Sequence, residues 1–419
     1  MPLRYQAPRG TQDVLPEDQP LWDWVRETAA RLAALFGYGR IDTPVFEPAA
    51  LFVRTTGEAT DIVQKEMYVF QDRGGQELAL RPEGTAPVCR AYLEHGMQAR
   101  PQPVRLWYMA PIFRYDRPQA GRYRQHHQFG VEAIGDGSPL LDAEVIELLW
   151  RLYEELGLSG LTLRLNSIGD GNCRPAYLQL LRHYYHDKLD HVCPDCRQRY
   201  QRNPLRLLDC KQESCQPVIA GAPPITDYLC QPCAEHFAQL RECLEGLGIP
   251  YELEPRLVRG FDYYTRTVFE VHPPLEGAQS ALGGGGRYDG LIQELGGPPT
   301  PAVGFGTGIE RIVLNLKRQE ASPPTARGLD AFVAYQTPQA RLAALRLASR
   351  LRREGIAAVV ASGDRSLKAQ MRQADGRGAR FALILGAREL AAGTVTVRRL
   401  ADGQQQTLPL EQAIARLRP

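Results

Sequence analysis

Leu106 to Phe113 is a nearly unbroken apolar run that stops at Arg114. A Pro/Gly turn follows, and the chain comes back through Arg122 and Arg124 to His127–Glu132. The pattern predicts two strands joined by a basic loop. On the returning strand Gln128 and Glu132 are an even number apart, so they share a face. Further on, Arg259-Gly260-Phe261-Asp262-Tyr263-Tyr264 leads into a β-branched and aromatic run ending at Glu270, which reads as another strand. The glycine run Gly283–Gly286 follows, a surface a ligand can press against. After Ser322–Gly328, a linker by composition, the pattern becomes regular. Strands are expected at 331–335, 357–360, 381–386 and 394–397, helices at 340–354 and 366–376, and a last helix from Leu410. That alternation predicts a compact α/β domain. The longer part, to about Glu320, spaces its strands irregularly, which suits a largely antiparallel α+β core. No period of 20–50 residues recurs.

Charge sharpens the division. The whole chain carries 50 Lys+Arg against 48 Asp+Glu, yet Thr325–Pro419 alone has 16 basic and 7 acidic residues. The end is therefore +9 on a body of −7. A polyanion-binding module and a solvated arginine-rich surface both fit that excess. No apolar run is long enough to span a bilayer, and the start lacks the apolar stretch of a signal peptide. The expectation is a cytoplasmic protein with no membrane contact. Nine cysteines in a reducing compartment point to metal binding or burial rather than disulfides.

Candidate chemistry gathers in the long part. Arg81-Pro82-Glu83-Gly84-Thr85 sets a carboxylate and a hydroxyl around a glycine, acceptors that an ammonium group needs, although the same residues make an ordinary turn. The basic loop suits a triphosphate or nucleic acid. Gln128 and Glu132 on one face can specify a polar ligand, or belong to a solvated sheet face.

In order and spacing these blocks resemble the class II aminoacyl-tRNA synthetases. Arg40-Ile41-Asp42-Thr43-Pro44 resembles the first class motif, a dimer-interface element. Phe113-Arg114 through Arg124 resembles the second, and Gly304-Phe305-Gly306-Thr307-Gly308-Ile309-Glu310-Arg311 the third. Within the class, the Arg259 and Gly283 blocks resemble the histidyl-tRNA synthetases, and Ser362–Gln370 resembles their anticodon-binding domain. The resemblance implies a class II antiparallel core over 1–320, interrupted by a helical insertion at about 170–250. A linker at 321–328 and an anticodon-binding domain over 329–419 follow. It implies activation of L-histidine by ATP with Mg²⁺, transfer to tRNA(His), and a homodimer. Arg114 and Arg259 would meet the α-phosphate and the histidine carboxylate, and Arg122 and Arg311 the outer phosphates. Asp116 stands where glutamate is usual in the ATP site, and Phe261 where leucine is. Glu83 and Thr85 would take the ammonium, Gln128 the amino acid's polar end, and Glu132, Tyr263 and Tyr264 the imidazole. A catalytically inert, histidine-binding relative, the regulatory subunit of ATP phosphoribosyltransferase, shares the core; such relatives lose the arginine set and the basic end. A zinc-dependent nucleic-acid-binding protein with an inert core is the third reading.

The insertion holds Cys193-x-x-Cys196, Cys210, Cys215 and Cys230-x-x-Cys233. The two Cys-x-x-Cys pairs resemble the halves of a tetrahedral zinc site, so the expected ligands are Cys193, Cys196, Cys230 and Cys233, with Cys210 and Cys215 competing. Incidental thiols in a helical insertion are the alternative. Cys89 and Cys173 are expected to pack in the core. A closed thiolate site would be structural, with its loss felt more in tRNA charging than in histidine activation.

Overall fold

The computed structural model describes residues 5–57, 60, 62–116, 121–274, 281–323, 328–363 and 365–418. The chain forms two units, Met1–Pro323 and Pro324–Pro419.

The first unit is built on an eight-stranded sheet. Second and third from one edge, Val104–Phe113 and Gln125–Ile134 pair antiparallel from Val104↔Ile134 to Phe113↔Gln125, the expected hairpin. Ala302–Gly308, Gly283–Arg287, Thr265–His272 and Thr162–Ser167 add on in turn, all antiparallel. Short parallel strands, Gly39–Arg40 and Tyr251–Leu253, close the two edges. The core is thus the antiparallel-dominated α+β fold the sequence predicts.

Period-two alternation decides which face is which. Phe129, Val131 and Ala133 are buried in one core with Phe269 and Phe305. Helices Gln19–Leu35, Pro139–Glu155 and Ile309–Arg318 supply that core's other side through Val25, Leu32, Leu148, Leu152, Ile312 and Leu316. Gln128, Gly130 and Glu132 therefore turn to the opposite face, where the site lies. Helix Pro139–Glu155 starts cleanly: Pro139 occupies its first turn, and the Ser138 side chain accepts from Leu140 N at 3.2 Å.

One buried ion pair ties this helix to the glycine strand. Arg287 and Asp142 are both fully buried, with Arg287 Nε 3.0 Å from Asp142 Oδ1. Arg287 also donates to the carbonyls of Asp136 (3.0 Å) and Ser138 (3.2 Å) and to Asp289 Oδ1 (3.1 Å). Thr267 Oγ1 completes the shell by donating to Asp142 Oδ2 at 2.6 Å. A buried pair is tolerable only when its remaining valences are met in this way.

From Asp170 to Pro250 the chain is helical: Arg174–His186, Pro194–Arg202, Gln216–Ala220 and Gln231–Gly246, joined by turns. The last of these returns Phe237, Leu240 and Leu244 to the main core. A small sheet of Phe46–Pro48, Glu77–Leu80 and Tyr68–Gln71 stands apart.

The second unit has a five-stranded sheet. Ala358–Val360, Ala331–Tyr335 and Phe381–Leu385 run parallel; Thr394–Arg399 and Gln405–Pro409 are antiparallel. Helices Ala340–Arg353, Leu367–Gly376 and Leu410–Leu417 stand where the pattern predicts them. Ser366 caps the second by accepting from Ala369 N at 3.4 Å. Two elements are additional. Gln405–Pro409 is an edge strand with four of its five residues exposed, so it shows no apolar alternation. Ala387–Ala392 is too short for a helical period to register. Of the expected linker, 324–327 lie outside the described residues.

Candidate active site

On the open face of the central sheet lies a cavity of about 590 Å³. Arg114, Arg122, Arg259 and Arg311 line it, with Glu83, Thr85, Asp116, Gln128, Tyr263 and Tyr264. The hairpin, the Arg259 segment and the glycine-led helix, far apart in sequence, are brought together here.

The glycines make the floor low enough. Gly304 pairs with Glu132 and Gly306 with Gly130 across adjacent strands. A Cβ on Gly304 would collide with the Glu132 carboxyl, and one on Gly306 with the Gln128 amide. These two side chains can lie along the sheet only because their neighbours have none.

Glu132 is 1 % exposed and lies beneath the cavity wall rather than in it. Thr85 Oγ1 donates to it at 2.8 Å, Tyr108 OH at 3.3 Å, and Tyr288 OH also donates. Burial pushes its carboxyl up to about 8, against the pull of those hydroxyls. Glu83, also buried, accepts from the backbone N–H of Thr85 (2.6 Å) and Ala86 (2.7 Å) at the start of helix Thr85–Glu94. Burial again raises its pKa, partly offset by those amides and by Arg114. Tyr263 and Tyr264 are buried side by side with ring centroids 4.7 Å apart, and Phe261 stacks on Tyr263 at 5.1 Å. Burial lifts both phenols, so both are neutral donors.

The cations are unevenly compensated. Arg259 pairs with Glu270; burial would lower its pKa, but Glu270 and the two tyrosines raise it overall. Burial likewise opposes ionisation of Glu270, and Arg259 and His272 outweigh it, holding the carboxyl at about 2. Arg259 Nε is buried and has no hydrogen-bond partner among the described residues. Arg122 pairs with Asp116 at 3.2 Å, so the shorter aspartate is engaged by a site arginine. Among the described residues Arg114 and Arg311 bond only carbonyls: Pro82 O at 2.7 Å, and Gly121 O and Ala281 O at 3.0 and 2.7 Å. Burial lowers the Arg311 pKa, and the nearby Arg122 and Arg114 lower it further. Burial and the same cluster, Arg114 and Arg311, hold His126, which also lines the cavity, down to about 3. Arg114 and Arg311 thus keep charge that no carboxylate pairs among the described residues, and such charge is what a polyphosphate requires.

The sequence reading missed several contributors. Tyr108 and Tyr288 bracket Glu132, yet a tyrosine in an apolar run and one after a glycine run carry no distinct signal. Glu270, the partner of Arg259, closes the very block that drew attention. Arg81, two residues before Glu83, is a further contributor. Its Nη1 donates to Thr43 O (3.0 Å) and Pro44 O (3.3 Å), and its Nε to Pro111 O (2.8 Å), fastening the Arg40–Pro44 segment to the hairpin.

The expected cysteine set is corrected. Cys193 and Cys196 do not meet Cys230 and Cys233. The first pair groups with Cys210 and Cys215, the second with Cys173 and Asp170. The reason is topological. Cys193 and Cys196 open helix Pro194–Arg202, and the chain turns straight back to Cys210 and Cys215, whereas Cys230 opens the helix that returns to the main core beside Asp170. Cys173 is buried as expected but within that second cluster.

A family model described as Histidyl-tRNA synthetase matches residues 10–169 and 220–312, and one described as Anticodon binding domain matches 330–419. The histidine–tRNA ligase of Dehalococcoides mccartyi (strain ATCC BAA-2266 / KCTC 15142 / 195) is 58 % identical over 414 residues, covering 99 % of both chains. That of Natranaerobius thermophilus is 50 % identical over 414 residues, covering 99 % of this chain and 98 % of the other. The crystal structure of apo Staphylococcus aureus histidyl-tRNA synthetase superposes with a TM-score of 0.84 at 38 % identity, covering 99 % of each chain. Full-length identity of this order, on a fold that assembles these arginines, acids and tyrosines, means that the chain belongs to the histidyl-tRNA synthetase family.

Proposed function

We propose that this cavity joins L-histidine to the α-phosphate of ATP and then passes the histidyl group to the 3′ end of tRNA(His). Family membership over the whole chain makes the protein an aminoacyl-tRNA ligase. The convergence of Arg114, Arg122, Arg259 and Arg311 on one cavity, above a floor of buried carboxyls and phenols, carries the assignment to this site.

In the first step the histidine carboxylate attacks phosphorus and pyrophosphate leaves. Negative charge grows on the phosphoryl oxygens, and fixed cations aimed there lower the barrier without reorganising. Arg114 and Arg259 are assigned to the α-phosphate and the carboxylate; the unpartnered Nε of Arg259 gives it a donor to spare. Arg122 and Arg311 are assigned to the outer phosphates, with Asp116 positioning Arg122. Glu83 takes the ammonium, whose charge would draw its raised pKa down, and Thr85 stands beside it. Gln128 serves the polar end of the amino acid. Tyr263 and Tyr264 face the imidazole from the cavity wall, and Glu132 acts on it from below through its hydroxyl partners. Opposed donors and acceptors suit a ring with one nitrogen of each kind, and strand unpaired polar groups when an apolar isostere enters.

Mg²⁺ would enter with the nucleotide, because Glu270, the carboxylate of the lining that is held ionised, already has both oxygens engaged by Arg259 and His272. When bound, the metal neutralises charge on the nucleotide phosphates. The second unit, with its excess of arginine, is assigned to the tRNA anticodon. A homodimer is proposed from the Arg40–Pro44 resemblance and from the exposed Val45, Phe46, Val69 and Phe70 around the small sheet, where Phe46 and Phe70 already stack edge to face at 6.3 Å. A cytoplasmic location goes with tRNA as substrate; among the described residues no helix is long and apolar enough to cross a membrane.

Histidine-dependent exchange of pyrophosphate into ATP tests the reading, followed by charging of tRNA(His). The ligase shows both. Histidine binding with no exchange would instead favour an inert relative of the ATP phosphoribosyltransferase regulatory subunit.

A further inference from the structure

The segment 170–219 falls outside the family model's match, and within it four thiols converge. The Sγ atoms of Cys193, Cys196, Cys210 and Cys215 all lie within 4.8 Å of one another. Cys193 Sγ is 3.8 Å from Cys210 Sγ, and Cys215 Sγ is 3.9 Å from Cys196 Sγ. A tetrahedral tetrathiolate zinc, with Zn–S of about 2.3 Å, has ligand edges of about 3.8 Å. A disulfide needs sulfurs about 2 Å apart, so these spacings belong to ligands rather than to bridges. The Cys193 backbone N–H points at Cys215 Sγ at 3.2 Å, the kind of amide bond that steadies a thiolate. Three of the four thiols are buried.

We propose that Cys193, Cys196, Cys210 and Cys215 bind one structural zinc ion, and that this metal fastens a clamp on the Arg259–Tyr264 segment. Binding deprotonates four thiols and releases four protons, and no electron is transferred. The chain leaves the cluster at Cys196 and re-enters it at Cys210, and the arm between reaches the active site. Asn203 Nδ2 donates to Asp262 Oδ1 at 2.7 Å, and Arg206 Nη1 donates to Arg259 O at 2.9 Å. Asp209, Cys210, Lys211 and Gln212 line the cavity itself. A fixed cluster thus holds both ends of the arm that holds the arginine segment. The expectation that loss of metal would be felt mainly in tRNA charging is replaced by one in which histidine use suffers as well.

The neighbouring group of Asp170, Cys173, Cys230 and Cys233 serves as the control. Its carboxylate already pairs with Arg266 at 3.3 Å and accepts from Asn172 N at 2.9 Å.

The metal claim stands independently of any enzymatic role, whereas the clamp rests on the reading of the Arg259–Tyr264 segment, through Tyr263 and Tyr264, as part of the histidine pocket. Full-length untagged protein, purified without chelator, is expected to hold one zinc per chain by elemental analysis and by native mass spectrometry. Cobalt replacing it should give the thiolate charge-transfer and intense visible bands of a tetrahedral tetrathiolate. Cys210→Ser should lose the metal and Cys233→Ser should keep it. Zinc far below stoichiometric with all four thiols freely titratable in the native protein, or zinc lost in Cys233→Ser and kept in Cys210→Ser, overturns the site. For the clamp, Arg206→Met should keep its zinc yet raise the KM for histidine in pyrophosphate exchange by roughly tenfold or more. An unchanged KM in that variant overturns the clamp and leaves the metal result standing.

Discussion

A carboxyl with no route to solvent has to be kept neutral or matched, and Glu132 is kept neutral. Burial raises its pKa to about 8, although three hydroxyls donate to it. The folded state therefore holds this proton more tightly than the unfolded chain does. Its contribution to stability is complete below the ordinary value of about 4.3 and is lost as pH rises towards 8. Glu132→Gln cannot ionise, so it should gain on the wild type between pH 5 and 9 by on the order of a few kcal/mol. Denaturant melts of both proteins at the two pH values measure this, and parallel profiles would mean that Glu132 is ionised throughout. Arg259 poses the opposite case, a buried cation matched by Glu270. Arg259→Ala should slow adenylate formation roughly a hundredfold, about 3 kcal/mol, while histidine still binds. The substitution also strands Glu270, so the Arg259→Ala/Glu270→Gln double variant separates the causes. Recovered activity there would assign the loss to an unpaired charge, and continued inactivity to the missing cation. Single-turnover activation gives the rate.

The Arg287–Asp142 pair joins a strand to a helix, and its worth shows when one partner is removed. Arg287→Ala leaves a fully buried Asp142 with Thr267 and His236 as its neighbours. A loss of about 3–5 kcal/mol is expected, measurable as a shift of the urea midpoint. Gly304→Ala works differently. Its methyl group would meet both the Glu132 carboxyl and the Val131 carbonyl oxygen, a backbone atom that cannot step aside, so stability and histidine use should fall together, read as melting temperature and kcat/KM. These two positions also mark how far the sequence could be read. The hairpin, the glycine strand and the second unit's strands were legible because apolar period and turn residues act locally. The even spacing of Gln128 and Glu132 rightly put them on one face. It did not show that Glu132 would sink beneath the cavity, because that depends on Tyr108 arriving from a neighbouring strand and Tyr288 from just past the glycine strand. The cysteines failed for the same reason. Spacing identified Cys-x-x-Cys halves, but which halves meet is decided by how the insertion's helices turn back. The role of Asn203–Arg206 as an arm onto Arg259 could be seen only in space.

At the scale of the whole molecule, the proposed function separates chemistry from recognition. The cavity's lining runs from Ile62 to Arg311, entirely within the first unit. The second unit closes its own core around Phe332, Leu347, Leu383, Val395 and Ile414, so it has the means to fold by itself. Between them lies a proline-rich stretch at Ser322–Thr325. If the activating cations and the histidine pocket need nothing from the second unit, a chain ending at Pro323 should form the adenylate at close to the full-length rate. It should charge tRNA(His) poorly, because the part that carries +9 is gone. The electrostatic signature is specific. Each phosphate contact releases counterions, so the logarithm of tRNA affinity should fall steeply and linearly with the logarithm of salt for the intact chain. For the truncated chain the slope should be shallower and the affinity lower at every salt concentration. Filter binding across a salt series, with pyrophosphate exchange measured on the same samples, tests both halves of this division. Undiminished tRNA affinity after truncation would place tRNA recognition in the first unit and reduce the arginine excess to a solvated surface. A parallel collapse of exchange would show instead that the two units are catalytically interdependent.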